Sequence, residues 1–454
     1  MSGFTIEDIR SCLEGAVPSI LATCDRQGVP NVSLISQVHY VDRDRVALSY
    51  QFFNKTRRNI LDTRAASATV VDPITLAQYA LDLEYEETQT EGPLFESMKA
   101  KLAGIASHTG MAAVFRLLGA DVFRLKAITP VEVETLAPTA ASRNLMGAVR
   151  RSCAELAKAA ELDDLLDLTL CCLERNFGIR HSMVLMLDPE LDRLYTVASH
   201  GYERSGIGSE VALGEGVIGV AARERVPIRI SFMTSEYRYG DAIRESAARA
   251  GVAFDPATEI PFPGLAEPES QIALPILHGG RTLGVLFAES TEPMRYCYEE
   301  EDALAVVADH VGALVSLLPG DVTGVESAPP ARPAIDRART ITVRRYPTDN
   351  SIFLDHGYLI KGVAGAIFWK LATEYTRHGR TEFTNRELRL DPALRLPEYV
   401  ENLEARLLLL RRRLQERNSG IRLEKHGRGR FRLVLDCGLK LENMSAGSTA
   451  PPAV

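Results

Sequence analysis

At 454 residues the chain exceeds what one ordinary hydrophobic core organises, so several domains are expected. Its 46% hydrophobic and 25% charged residues are those of soluble globular protein, not of a disordered or fibrous chain. No apolar run reaches the ~18 residues of a membrane span, and "MSGFTIEDIR" at the N-terminus lacks the basic and apolar regions of a secretory leader. The seven cysteines (12, 24, 153, 171, 172, 297 and 437) include no C-x-x-C pair, and the nine histidines are scattered. This argues against a disulfide framework or a zinc centre and leaves the cytoplasm as the expected compartment. The net charge of −8 conceals a split: 20 Lys/Arg stand against 12 Asp/Glu between Arg339 and Cys437 (+8), which leaves −16 for the rest. A basic module that meets a polyanion, joined to acidic modules that do not, is the expected arrangement.

Two stretches read as joints. "TLAPTAASRN" (135–144) is small and polar, and "LPGDVTGVESAPPARPAIDRART" (318–340) holds four prolines without apolar periodicity. The expected layout of this multidomain α+β chain is a first domain over 1–135, a second over 145–318, a linker over 319–340, and a third over 341–437. A disordered tail over 438–454 follows, low in bulky apolar residues from Asn443 onward.

In the first domain, "SILATCDRQGVPNVSLIS" reads as two strands around a turn at Asp25–Gly28. "HYVDRDRVALSYQF" repeats the pattern around Asp42–Asp44, and "ASATVVDP" and "ADVFRLKAITPVEVE" add β-rich runs. Helical stretches are expected near 5–14 and 93–118. Short antiparallel strands with one or two helices predict a small closed barrel. "LSYQFFNKTRRNILDTRA" (48–65) then runs from a strand into Lys55, Arg57 and Arg58 at a helix start, where backbone N–H groups and the helix dipole favour an anion.

These pieces resemble the pyridoxamine-phosphate-oxidase-like split barrels, many of which bind FMN. The resemblance covers most of 5–135 and rests on "ILATCDRQGVPNVS", "VALSYQFFNKTRRNI" with "ASATVVD", and "GADVFRLKAITPVEV". It implies a flavin phosphate held after the third strand, where the family carries Ser-x-Lys. Here the tripeptide is Asn54-Lys55-Thr56, followed by Arg57, so the family's serine and lysine positions are Asn and Thr. Lys55, the Thr56 hydroxyl and Arg57 still suit a phosphate. A basic helix start on a barrel without cofactor is the other reading. A haem-binding barrel with His39 or His108 as ligand is a further alternative. No nucleophile or general acid stands out, so bound flavin would carry any chemistry.

In the second domain, "LGEGVIGVAARERVPIRI" (213–230) contains a formal G-x-G-x-x-G at Gly214, Gly216 and Gly219. A dinucleotide fold needs βαβ surroundings, which are missing. "MGAVRRSCAELAKAAELDDLLDLTLCCLERNFGI" is helical in spacing, "SMVLMLDPELDRLYTVASHG" is a hairpin, and "SQIALPILHGGRTLGVLFAES" is another around Gly279-Gly280. "YEEEDALAVVADHVGALVSLL" closes as an amphipathic helix. In this order the pieces resemble a GAF domain over nearly all of 145–318. That resemblance implies a small-molecule pocket beneath a variable segment, here about 232–269, with Tyr237, Tyr239 and Phe254 as its apolar lining. An empty core under a lid, or a purely dimerising domain, is the alternative. Cys171-Cys172 reads as core. Sensor modules of this kind pair through their end helices, so a homodimer through 148–175 and 300–317 is expected.

In the third domain, "SIFLDHGYLI" supplies short strands and "KGVAGAIFWKLATEYTRHG" a helix ended by Gly379. "TNRELRLDP" is a short helix with a Thr384/Glu387 capping box. "LPEYVENLEARLLLLRRRLQERNSG" is a long helix between Pro397 and Gly420, with Val400, Leu403, Leu407, Leu410 and Leu414 as one apolar stripe. "IRLEKHGRGRFRLVL" is a hairpin with Arg428 and Arg430 at its tip. The whole resembles the winged-helix domain of response-regulator effectors, which implies binding to double-stranded DNA. The face away from the stripe carries Asn402, Arg406, Leu409 and Arg413, a DNA-binding face on which Asn402 and Arg406 are placed to read base edges. Arg411, Arg412, Arg428 and Arg430 would then meet phosphate. Glu398, Glu401, Glu404 and the extra apolar surface at Leu408 and Leu409 fit a partner-binding helix or a dimer seam instead.

Three functions follow as expectations. The first is a cytoplasmic regulator whose barrel and GAF domain sense a small molecule and whose winged helix binds DNA. The second is an FMN-dependent oxidoreductase with regulatory domains, and the third a non-catalytic adaptor.

Overall fold

The structure, a computed structural model, describes residues 4–15, 17–35, 38–50, 55–99, 117–136, 144–189, 191–231, 260–318, 340–394, 401–427 and 429–444, without the side chains of 393, 401 and 402. Among the described residues no helix is long and apolar enough to cross a membrane.

A 3-10 helical segment (Glu7–Leu13), kinked at Ile9 where φ is −119°, opens the first unit. Strands β1 (Ser19–Cys24), β2 (Pro30–Ile35), β3 (Val38–Asp42) and β4 (Arg45–Tyr50) follow, then α1 (Lys55–Thr63). After it come β5 (Ala65–Val71), β6 (Gln78–Gln89), a helix α2 described over 93–99, and β7 (Gly119–Val131). The rest of the helix expected over 93–118 lies outside the described residues. The Asp25 carboxylate forms the expected first turn, accepting the N–H groups of Gln27 and Val29 at 3.0 and 2.9 Å. All seven strands join one antiparallel sheet in the order β2-β1-β5-β6-β7-β4-β3. Long β6 and β7 curl it around Leu21, Val46, Leu48, Ala68, Leu81 and Phe123. The sheet is barrel-like, with β2 and β3 at its two edges rather than the closed cylinder expected from the pattern.

The middle unit breaks the expected helical run into α3 (Leu145–Leu156) and α4 (Leu162–Phe177), the second ending at Gly178 with φ +69°. Both hairpins form as expected, β8 (His181–Asp188) with β9 (Arg193–His200), and β12 (Ser270–His278) with β13 (Arg281–Ser290). With β10 (Glu210–Ala212) and β11 (Ile228–Ile230) they make a six-stranded sheet, β10-β9-β8-β13-β12-β11. One face carries α3, α4 and α6 (Tyr298–Leu317), the other α5 (Gly216–Glu224). Cys172 is buried in α4 and Cys171 exposed, so the pair straddles the helix. The formal glycine motif is a packing device. A Cβ on Gly219 would stand 2.1 Å from the Ala212 carbonyl oxygen, so only glycine lets α5 approach β10 this closely. Gly219→Ala is therefore expected to destabilise by about 1–3 kcal/mol in denaturant unfolding, and to alter no nucleotide affinity.

The third unit contains β14 (Thr340–Tyr346), β15 (Ser351–Leu354), β16 (Gly357–Ile360), α7 (Gly362–His378), β17 (Glu382–Thr384) and α8 (Asn385–Arg389). Next come α9 (Glu401–Arg417), β18 (Ile421–Lys425) and β19 (Arg430–Leu435). Gly379 ends α7 at φ +67°, and the Thr384 hydroxyl caps α8 by accepting the Glu387 N–H at 3.2 Å. The expected tail over 438–454 is corrected over its first part: Gly438–Asn443 forms β20, paired in parallel with β14. Half-buried Leu439 and Leu441 supply the reason, since they pack against the apolar core. Residues 445–454 lie outside the described residues, as do 319–339 of the expected linker. The third unit is not a detached module. One continuous apolar core runs from Leu165, Leu173 and Val311 of the middle unit to Ile341, Phe368 and Leu410 of the third.

A second junction ties the first unit to the middle one. Arg229 of β11, with 3% of its side chain exposed, pairs with Glu14 and at 2.8 Å with Glu301. Its guanidinium also lies 4.5 Å from the ring centre of Tyr298, whose N–H donates to Glu14 at 2.8 Å.

Candidate functional site

The helix start expected to hold a phosphate is α1. Lys55 and Arg58 are exposed there, while Asn54 lies outside the described residues. Thr56 is buried and turned inward, its hydroxyl accepting from the Asn31 amide at 2.9 Å and donating to the Ser33 hydroxyl at 3.3 Å. The Arg57 guanidinium lies over the Tyr50 ring, 3.5 Å from its centre, pairs with Asp121, and donates to the Thr88 hydroxyl at 3.1 Å. Thr88 in turn donates to Asp121 at 2.6 Å, so α1, β6 and β7 are knotted by one buried network. Gly119 makes room for it, since a Cβ there would meet Thr88 at 2.6 Å and Tyr50 at 3.3 Å. Two of the four expected phosphate ligands thus serve the fold, and Lys55 alone of the described three faces outward. His39 is half-buried in β3, and His108 lies outside the described residues.

Tyr237, Tyr239 and Phe254, expected to line a pocket in the middle unit, lie outside the described residues. Among the described residues of the middle unit, a buried polar cluster lies at the end of β13. Glu289 accepts the Leu265 N–H at 2.8 Å and the Gln271 amide at 3.1 Å, with Tyr202 beside it. Burial pushes its carboxyl above the ordinary range despite those donors. Sequence pattern gives no signal for this cluster, because Glu289 sits in a strand that otherwise reads as uniform core. A cavity of about 470 Å³ lies elsewhere, between the middle and third units. Leu162, Leu317, Leu407, Leu408, Leu423 and Phe431 form its apolar walls.

Four of the five arginines of α9 are turned away from open solvent, and only Arg417 at its end is exposed. Arg406, 6% exposed, pairs with the buried Asp188 of the middle unit, its guanidinium 4.2 Å above the Tyr195 ring. Arg411 pairs with Asp163 of α4. Arg412 reaches the same carboxylate at 2.5 Å, Asp167 at 2.7 Å, and the Val197 carbonyl at 2.8 Å. Lys425 of β18 pairs with Glu161. Arg413 instead makes its hydrogen bonds within its own unit, donating to the Leu359 carbonyl at 3.1 Å and to Glu416 at 2.6 Å, while its side chain packs beside Gly208 of the middle unit. Leu408 and Leu409 are buried, which accounts for the apolar surface beyond the first stripe. Arg430 is exposed at the start of β19, whereas Arg428 and the Asn402 side chain lie outside the described residues. The acidic partners Asp163, Asp167 and Asp188 were concealed in sequence, reading as an ordinary helix start and a hairpin turn.

Comparison with known proteins places one part of the chain. Residues 159–316 match the family model of the GAF domain, so the middle unit is a GAF domain. No curated protein matches the chain. Among solved structures it is similar to an FMN-binding protein from Syntrophomonas wolfei subsp. wolfei, at 22% identity over 28% of this chain and 86% of that one, with TM-score 0.25. It is also similar to the GAF domain of an Acinetobacter phosphoenolpyruvate-protein phosphotransferase, at 16% identity over 39% and 96%, with TM-score 0.30. A third is free methionine-R-sulfoxide reductase from Neisseria meningitidis in complex with its substrate, at 17% identity over 40% and 96%, with TM-score 0.31.

Proposed function

We propose that the chain is a ligand-responsive transcriptional regulator, with the GAF domain as its small-molecule sensor and the third unit as a winged helix that binds DNA. The observation that carries the reading is the order and charge of the third unit. A short capped helix (α8), a long arginine-rich helix (α9) packed on α7, and the β18–β19 hairpin beside it follow one another in a segment of net charge +8. Such an arrangement offers a helix to the major groove and a basic hairpin to the flanking phosphates. The regulator acts as a homodimer through the end helices of the GAF domain, where Met146 and Val306 are 78% and 51% exposed.

Binding of the full chain to random duplexes, followed by fluorescence anisotropy, should weaken steeply with salt, because each neutralised phosphate releases counterions. Arg428→Ala with Arg430→Ala should weaken all sequences alike and shallow the salt slope by roughly one unit per lost contact. No binding at low salt in either the wild type or the Asp163/Asp167 variant described below would reject the reading.

A second reading concerns the first unit, as a holder of FMN or another phosphate-bearing ligand. Exposed Lys55 at the start of α1 favours it. Lys55→Ala would then remove a charge-assisted hydrogen bond of about 1.5–3 kcal/mol and weaken FMN roughly tenfold or more. A wild type that is colourless and retains no flavin absorbance once free FMN is removed after loading would exclude this ligand.

A further inference from the structure

We infer that the acidic face of the GAF domain is an internal competitor for DNA: it holds the arginine helix closed, and DNA gains access only when the two units part. The inference rests on the DNA-binding reading above and adds its regulation. Four cations of the third unit, Arg406, Arg411, Arg412 and Lys425, meet four carboxylates of the GAF domain, Asp188, Asp163, Asp167 and Glu161. The Asp163 carboxylate takes two guanidinium groups at once, as a backbone phosphate does in a protein–DNA complex. Arginines engaged this way are not available to a groove, which leaves Arg417 as the exposed arginine of the helix. Charge of one sign therefore has to leave before charge of the same sign can enter.

The polar part of the interface is the part best able to separate. Two of its ion pairs, Arg411–Asp163 and Lys425–Glu161, line a cavity of about 470 Å³, so few dispersion contacts are lost there, although the units also share an apolar core. Asp167 is 61% exposed and Lys425 is 45% exposed, so that part of the contact weakens with salt. The GAF elements that carry the acids, the start of α4 and the β8–β9 hairpin, belong to the sensor itself. A shift of that sheet or helix on ligand binding is transmitted directly to α9.

The test uses the full chain. Asp163→Ala/Asp167→Ala removes the carboxylates shared by Arg411 and Arg412, and Glu132→Gln/Glu134→Gln removes two exposed acids of the first unit as the charge control. Binding to a random-sequence duplex is read by anisotropy across salt, and the cover on α9 by hydrogen–deuterium exchange. In the first variant α9 should lose protection, affinity at low salt should rise on the order of tenfold or more, and the salt slope should steepen by about two units. The control should match the wild type in exchange and in slope. Asp163→Arg, which sets like charge against Arg411 and Arg412, repeats the experiment with a stronger push. If α9 stays protected in both variants, these pairs do not hold the lock and the proposal fails. If the wild type already binds as tightly as the opened variants, masking is overturned while the DNA reading stands. If α9 opens and DNA affinity does not rise, the DNA reading falls and masking with it.

Discussion

Replacing Arg229 by alanine is expected to destabilise the protein by about 3–5 kcal/mol, read from the denaturant midpoint. The reason is the state in which its partners are left. Glu14 keeps 1% of its side chain exposed and Glu301 keeps 14%, and both were solvated by one guanidinium that water cannot replace. The penalty also depends on pH. Burial already holds the Glu14 carboxyl above its ordinary value of 4.5, with Arg229 pulling it down, so losing Arg229 raises it further. A carboxyl whose value is raised on folding binds its proton more tightly in the folded chain. Stability therefore falls as pH rises through the folded value, and the deficit of the variant should narrow as pH is lowered toward 4.5. A deficit that is unchanged over that range would show that Glu14 stays ionised by other means.

Asp121→Ala should have a comparable cost, about 3–5 kcal/mol, because it strands Arg57 between Tyr50 and Thr88 with 12% of its side chain exposed. The double variant Arg57→Met/Asp121→Leu should recover most of that loss, since it removes both charges and keeps the volume. Single and double variants together give the coupling energy by thermal or denaturant unfolding. A single variant within about 0.5 kcal/mol of wild type would mean that the network is ornamental. Recovery in the double variant without recovery of FMN binding would separate the structural role of Arg57 from any ligand role.

Local signals carried much of the fold. Turn chemistry at Asp25 and at Gly279-Gly280, the helix end at Gly379, and the Thr384 cap all act within a few residues of themselves. They were legible because their causes are local. The GAF order could be read for the same reason. What remained hidden depends on distant partners. Lys55, Thr56 and Arg57 make one short string, yet their roles divide because Asp121 lies 64 residues further on. The arginines of α9 read as free charge until Asp163, Asp167 and Asp188 are set against them. Leu408 and Leu409 did carry a warning, since an apolar residue off the main stripe needs a second surface to cover it. Strand β20 was missed because six residues with two leucines have no pattern strong enough to outweigh a polar tail.

The parallel pairing of β14 with β20 sets a timetable for the newborn chain. Thr340 lies opposite Gly438, so the first strand of the third unit waits for the last before that sheet is complete. A ribosome delivers residues in order, at about 5–20 per second. The GAF domain, with its acids at 161–188, is finished while the arginine helix is still being made. On the masking reading, those arginines emerge beside a carboxylate surface already in place, before they can meet nucleic acid in the cell. A truncation just before Gly438 would leave β14 with an unpaired edge, and aggregation of that product is its expected fate.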